Sequence, residues 1–142
     1  MNTLFSLGYS GVRFESVAHW LDTHDAVLVD VRYSPGSRNP QWRQPYLQRV
    51  LGPRYRWVKA LGNVLYRQNG IRLVDPARGV EVVAAMIESN PVVITCMCPD
   101  RQVCHRSVAA RAISEATGAM VTHLVPADFR PAQQWDLLIP NH

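Results

Sequence analysis

Residues 92–106 read V-V-I-T-C-M-C-P-D-R-Q-V-C-H-R. The first four, Val92, Val93, Ile94 and Thr95, are an uninterrupted β-branched run, the pattern of a strand buried on both faces. From Cys104 to Thr117 the pattern turns helical. Val108, Ala109, Ala112, Ile113 and Ala116 recur at the spacing of one helix face, and Gly118 follows as a C-cap. A buried strand that passes through a short loop into a helix predicts an α/β domain with a parallel sheet. All three cysteines of the chain, Cys96, Cys98 and Cys104, lie in this junction with His105 and Arg106. Thiols, an imidazole and a guanidinium gathered there make a candidate chemical site.

The chain on either side repeats the alternation. Residues 3–8 read as a strand that ends in a Gly8–Gly11 turn. Phe14, Val17, Ala18 and Leu21 form one apolar stripe, which predicts a helix over 14–23. Residues 26–32 are a second apolar strand, with Asp30 near its end. A carboxylate at the end of a buried strand needs a partner. Residues 33–40 are a loop by composition, 43–51 a short helix and 55–58 a short strand. Residues 64–75 show no clear period. Pro76 opens a helix through Ser89, with Val80, Val83, Ala84 and Ile87 on one face. Residues 120–125 are the last strand. These elements predict a single domain over 1–142, with three layers and a mostly parallel Rossmann-like or flavodoxin-like sheet. Its core spans about 3–125, and the tail 126–142, with Trp135 and Leu137 to Ile139, docks on the body.

The chain has 142 residues, 47% of them apolar, enough to build one core without disulfides or metal. Three clustered cysteines fit free thiols better than a disulfide framework. No apolar run approaches the ~20 residues that span a bilayer. The N-terminus lacks the pattern of a signal peptide, so a cytoplasmic location without membrane contact is expected. The formal net charge is +4, and Lys59 is the only lysine among fifteen basic residues. Arginine suits bidentate recognition of phosphate or carboxylate; a GC-rich genome would enrich it equally.

Ligands of open parallel sheets sit beyond the carboxyl ends of the strands. That rule gathers three groups at one rim: Ser6, Tyr9 and Ser10; Asp30, Arg32, Ser34, Ser37 and Arg38; and Cys96, Cys98, Cys104, His105 and Arg106. Several residues here resemble the bacterial and archaeal domain of unknown function 488. They are Gly8-Tyr9-Ser10, then Val29-Asp30-Val31-Arg32 with Pro35, Ser37 and Arg38, then Leu61-Gly62. Cys96, Asp100 and Cys104-His105-Arg106 complete the set. The resemblance runs over about 3–125 and implies the fold and the site, but no reaction. Tyr9 stands where that family usually has His, and Cys98 where it usually has Glu.

Four chemistries bear on these residues. A thiolate at Cys104 or Cys96, with His105 as general acid/base, would serve nucleophilic catalysis. The phosphatase spacing of Cys and Arg six apart is not met, since Gln102 and Cys104 occupy those positions. Arg32, Arg38 and Arg106, with Ser34, Ser37 and Tyr9, would form a clamp for a phosphate-bearing molecule, and Asp30 would hold one arginine in place. A metal site is not expected, because adjacent residues in a helix diverge by ~100° and a paired Cys knuckle is absent. Trp42, Tyr46, Tyr55, Trp57 and Tyr66, interleaved with Arg43, Arg49, Arg54, Arg56 and Arg67, would bind nucleic acid, although aromatics are core residues by default. Enzyme, non-catalytic nucleic-acid or nucleotide module, and thiol or metal sensor all remain open. No cofactor and no oligomeric state is indicated.

Overall fold

A computed structural model describes residues 2–98 and 104–129. It holds a five-stranded, all-parallel sheet: β1 (Leu4–Gly8), β2 (Val27–Asp30), β3 (Tyr55–Trp57), β4 (Val92–Cys96) and β5 (Val121–Leu124). The strand order is β3-β2-β4-β1-β5. Four α-helices lie among the described residues: α1 (Phe14–His24), α2 (Gln44–Leu51), α3 (Pro76–Ile87) and α4 (His105–Thr117). The expected α/β class and layered architecture are therefore present. The C-terminal tail beyond Phe129 and the loop 99–103, with Asp100 and Arg101, lie outside the described residues.

Two cores sandwich the sheet. On one face Phe14, Val17 and Leu21 of α1 and Leu47 and Leu51 of α2 pack on Leu7, Leu28 and Val93. On the other, Val83 and Ile87 of α3 and Ala109, Ala110 and Ile113 of α4 pack on Leu4, Val29, Val92 and Ile94. Successive strand residues point to opposite faces, so the all-buried pattern of β4 feeds both cores at once.

Local signals set the ends. Asp75 caps α3 by accepting from the Arg78 N–H, with Pro76 in the first turn. Gly118 closes α4 at φ +78°, its N–H bonded to the Ser114 carbonyl. The inward face of α4 differs from the expected one. Arg106, Ala109, Ala110 and Ile113 are buried, while Val108 is 44% exposed. The expected face followed apolar residues only; burial of the Arg106 guanidinium turns the helix by about one position.

Several aromatics of the 42–66 stretch are core, as their default predicts. Trp42 and Tyr55 are buried, Tyr46 and Trp57 half-buried, and only Tyr66 is well exposed. No helix among the described residues is long and apolar enough to cross a membrane.

Candidate functional site

The strand register divides the expected rim site in two. Asp30 pairs in register with Thr95, so Cys96 aligns one residue further on, with Val31. Asp30 thus points toward α1 and α2, while Cys96 points toward α3 and α4. The two sets share a rim but stand on opposite sides of the sheet.

On the α1/α2 side, Arg32 is a buried strut. Its Nε donates to Asp30 Oδ1 at 2.8 Å and its Nη2 to Oδ2 at 2.6 Å, while Nη1 donates to Tyr9 Oη at 3.1 Å and to the Gly36 carbonyl at 3.0 Å. Tyr55 Oη donates to Asp30 Oδ2 at 2.6 Å. Burial opposes the Arg32 charge, but the Asp30 carboxylate outweighs it and raises its pKa. Burial and the same carboxylate raise Tyr55, so it stays a donor. With these partners Arg32 holds the loop 33–42 in place and is no open clamp for a ligand. Asp30 plays the expected holding role.

A cavity of about 750 Å³ opens beside this strut. Of the expected ligand residues, Tyr9, Ser37 and Arg38 line it. Ser34 does not; its carbonyl closes a turn by accepting from the Gly36 N–H. Arg13, at the N-cap position of α1, also lines the cavity and was not among the sequence candidates. Its signal was its place in the first strand-to-helix loop. Tyr9 stacks on Trp42 at 4.3 Å and forms the cavity wall. Met97, next in the chain to Cys96, brings the cavity to the end of β4. The connection after β1 leads to one face and that after β4 to the other, so the crevice between them is a topological switch point.

On the α3/α4 side stand Cys96, Cys104, His105 and Arg106. Cys96 ends β4 and Cys104 is the N-cap residue of α4, both buried. Arg106 is 2% exposed. Its Nε donates to Ser6 Oγ at 2.9 Å, and its Nη1 donates to Cys96 Sγ at 3.5 Å and to the Cys98 carbonyl. No carboxylate reaches it among the described residues. Arg106, expected in the anion clamp, has a sulfur for its neighbour.

His105 Nε2 lies 2.6 Å from the Val31 carbonyl and Nδ1 lies 3.9 Å from Cys104 Sγ. A carbonyl only accepts, so Nε2 donates to it, and Nδ1 faces the Cys104 sulfur. The two thiols are driven apart. A hydrogen bond from Cys104, then the Arg106 charge, lowers Cys96 against the effect of burial, to about 7. Cys104, which gives that hydrogen bond and is buried, is raised. The helix N-terminus favours a thiolate at Cys104, but the neighbouring sulfur and burial act against it, so of the two expected thiols Cys96 is the one whose pKa is lowered.

The Cys96, Cys104 and His105 ligand atoms lie within 4.8 Å of one another. Two sulfurs and one imidazole nitrogen suit a zinc-like ion. The expected obstacle, divergence of helical neighbours, does not arise, because Cys104 precedes the helix in an extended conformation (φ −101°, ψ 139°). Against a cation stands Arg106, which already places a positive charge on the Cys96 sulfur.

Residues 14–71 match the family model described as Domain of unknown function DUF488. This match supports the resemblance read from the sequence. The DUF488 match covers Asp30, Arg32, the loop with Ser37 and Arg38, and Leu61-Gly62; the thiol cluster lies beyond it. No curated protein and no solved structure matches the chain. Tyr9, at a position where the DUF488 resemblance leads one to expect His, takes its place in the Arg32 strut. At Cys98, the backbone carbonyl holds Arg106.

Proposed function

We propose that the protein is a thiol-dependent enzyme acting on a small molecule that carries a phosphate or carboxylate group. One observation carries this reading. The permanently charged Arg106 guanidinium is buried against Cys96 Sγ with no carboxylate beside it among the described residues. A buried cation needs an anion, and a Cys96 thiolate supplies it. The cavity with Arg13, Arg38 and Ser37 at the same rim would seat the anionic group.

The chemistry follows from the two thiols. The Cys96 thiolate attacks an electrophilic group X of the ligand, and an Sγ–X bond forms as the bond to the leaving group breaks. The leaving group keeps the bonding pair and takes the Cys104 proton. Water then attacks X; its hydroxyl stays on X, its proton returns to Cys104, and the Cys96 thiolate is restored. The resting Cys104 proton is directed at Cys96; His105 Nδ1, beside Cys104 Sγ, relays the proton that water returns.

Labelling with iodoacetamide, read by mass spectrometry, tests the reading. Cys98 is more exposed than Cys96, so exposure alone would label it first. The reading expects Cys96 first, slowed by millimolar inorganic phosphate in the wild type but not in a double variant Arg13→Ala, Arg38→Ala. Labelling in order of exposure, without protection by phosphate, would reject it. A stoichiometric thiophilic metal in protein purified without chelators would favour the metal reading of the same atoms.

A further inference from the structure

From Val31 to Val74 the chain has nine arginines and lysines and no aspartate or glutamate. Arg32 pairs with Asp30, and Arg54 with Asp25 at 3.0 Å. The other seven have no carboxylate partner among the described residues. This segment builds the β3 edge of the sheet and an arm over 63–73.

The arm is ordered by one buried side chain. Asn63 Oδ1 accepts from the Leu65 and Arg72 N–H groups, and its Nδ2 donates to the Gly70 carbonyl. Rings and cations alternate along the surface. Arg67 lies over the Tyr66 ring at 5.2 Å, Tyr66 stacks with Tyr33 at 5.3 Å, and Lys59 Nζ lies 4.7 Å from Tyr33 and 5.7 Å from Trp57. Tyr66 is 48% exposed. The ladder is held rigidly: the backbone of Gly62 packs so close that an added Cβ would lie 2.7 Å from Tyr33 Cα.

We propose that the β3 edge and this arm bind single-stranded nucleic acid, with bases stacking on Tyr66 and its neighbours and phosphates held by Lys59, Arg67 and Arg72. Cations alone would suit any polyanion. The exposed Tyr66 ring between them, stacked on the half-buried Tyr33, selects unpaired bases, whose faces a duplex hides. The surface involves none of the thiols, so it stands or falls apart from the enzymatic reading. It does lie close to that site, since Tyr33 follows by two residues Val31, whose carbonyl holds His105.

Fluorescence anisotropy with a labelled 15-mer of thymidines at 50 and 200 mM salt tests it. Binding is expected at the lower salt and weaker at the higher. Each of Arg67→Ala and Arg72→Ala should lower the slope of log affinity against log salt by about 0.7. Tyr66→Ala should weaken binding at least about five-fold and leave that slope unchanged. Tyr66 is exposed, so this variant should fold, and its circular dichroism verifies that. No binding at 50 mM salt, equal affinity for a duplex of the same length, or unchanged affinity in Tyr66→Ala would each overturn the proposal.

Discussion

Arg106 and Arg32 show how the same residue type takes two roles set by its neighbours. Arg32 meets a carboxylate, Arg106 a thiol. Asp30→Ala leaves the Arg32 guanidinium buried without its anion, a loss of about 3–5 kcal/mol; urea unfolding should show it. Arg106→Met removes the cation beside Cys96, and the thiol midpoint should then rise toward the ordinary value of ~8.5. That prediction is read from thiolate absorbance near 240 nm. Neither role is written in the identity of the arginines. The composition marks both as anion seekers, and only the fold decides which anion lies within reach.

Among the elements, the strands and helices were legible because each carries its own period. The β-branched run of β4, the stripe of α1, and Pro76 and Gly118 as caps all act locally, so residues close in sequence decide them. The pairing of Asp30 with Thr95 is not local. Nothing in β2 or β4 alone says which residues stand side by side, and a shift of one residue moves a side chain to the other face. For that reason the sequence places all three groups at one rim without telling which face of the sheet each side chain takes. The rotated face of α4 has a similar cause, since a buried arginine is invisible to an apolar pattern. Glycine contacts offer a test at this scale. Gly62→Ala drives a Cβ into the Tyr33 backbone, while at Gly36 nothing lies within 4 Å. The first should cost about 1–3 kcal/mol and the second should stay within about 0.5 kcal/mol, as thermal or urea unfolding would show.

At the scale of the whole molecule, the rim carries three neighbouring features: a cavity with exposed arginines, a thiol pair and a basic aromatic edge. Composition marks all three ingredients, but only the strand order sets the cavity and the thiol pair by the β1–β4 crevice and the basic aromatic edge on β3. The thiol pair also couples the site to global stability. Cys96 has a lower pKa folded than unfolded, so its contribution is complete above the unfolded value of ~8.5 and fades as pH falls through the folded value. The stability difference between wild type and Cys96→Ser should therefore grow from pH 6 to pH 9. The most direct test of the thiolate is a titration of thiolate absorbance in the wild type, Cys96→Ser and Cys104→Ser. A midpoint near 7 is expected in the wild type. It should persist in Cys104→Ser, whose hydroxyl can still donate to Cys96, and vanish in Cys96→Ser. A midpoint at the ordinary thiol value, or one that vanishes with Cys104 instead, would contradict a thiolate at Cys96.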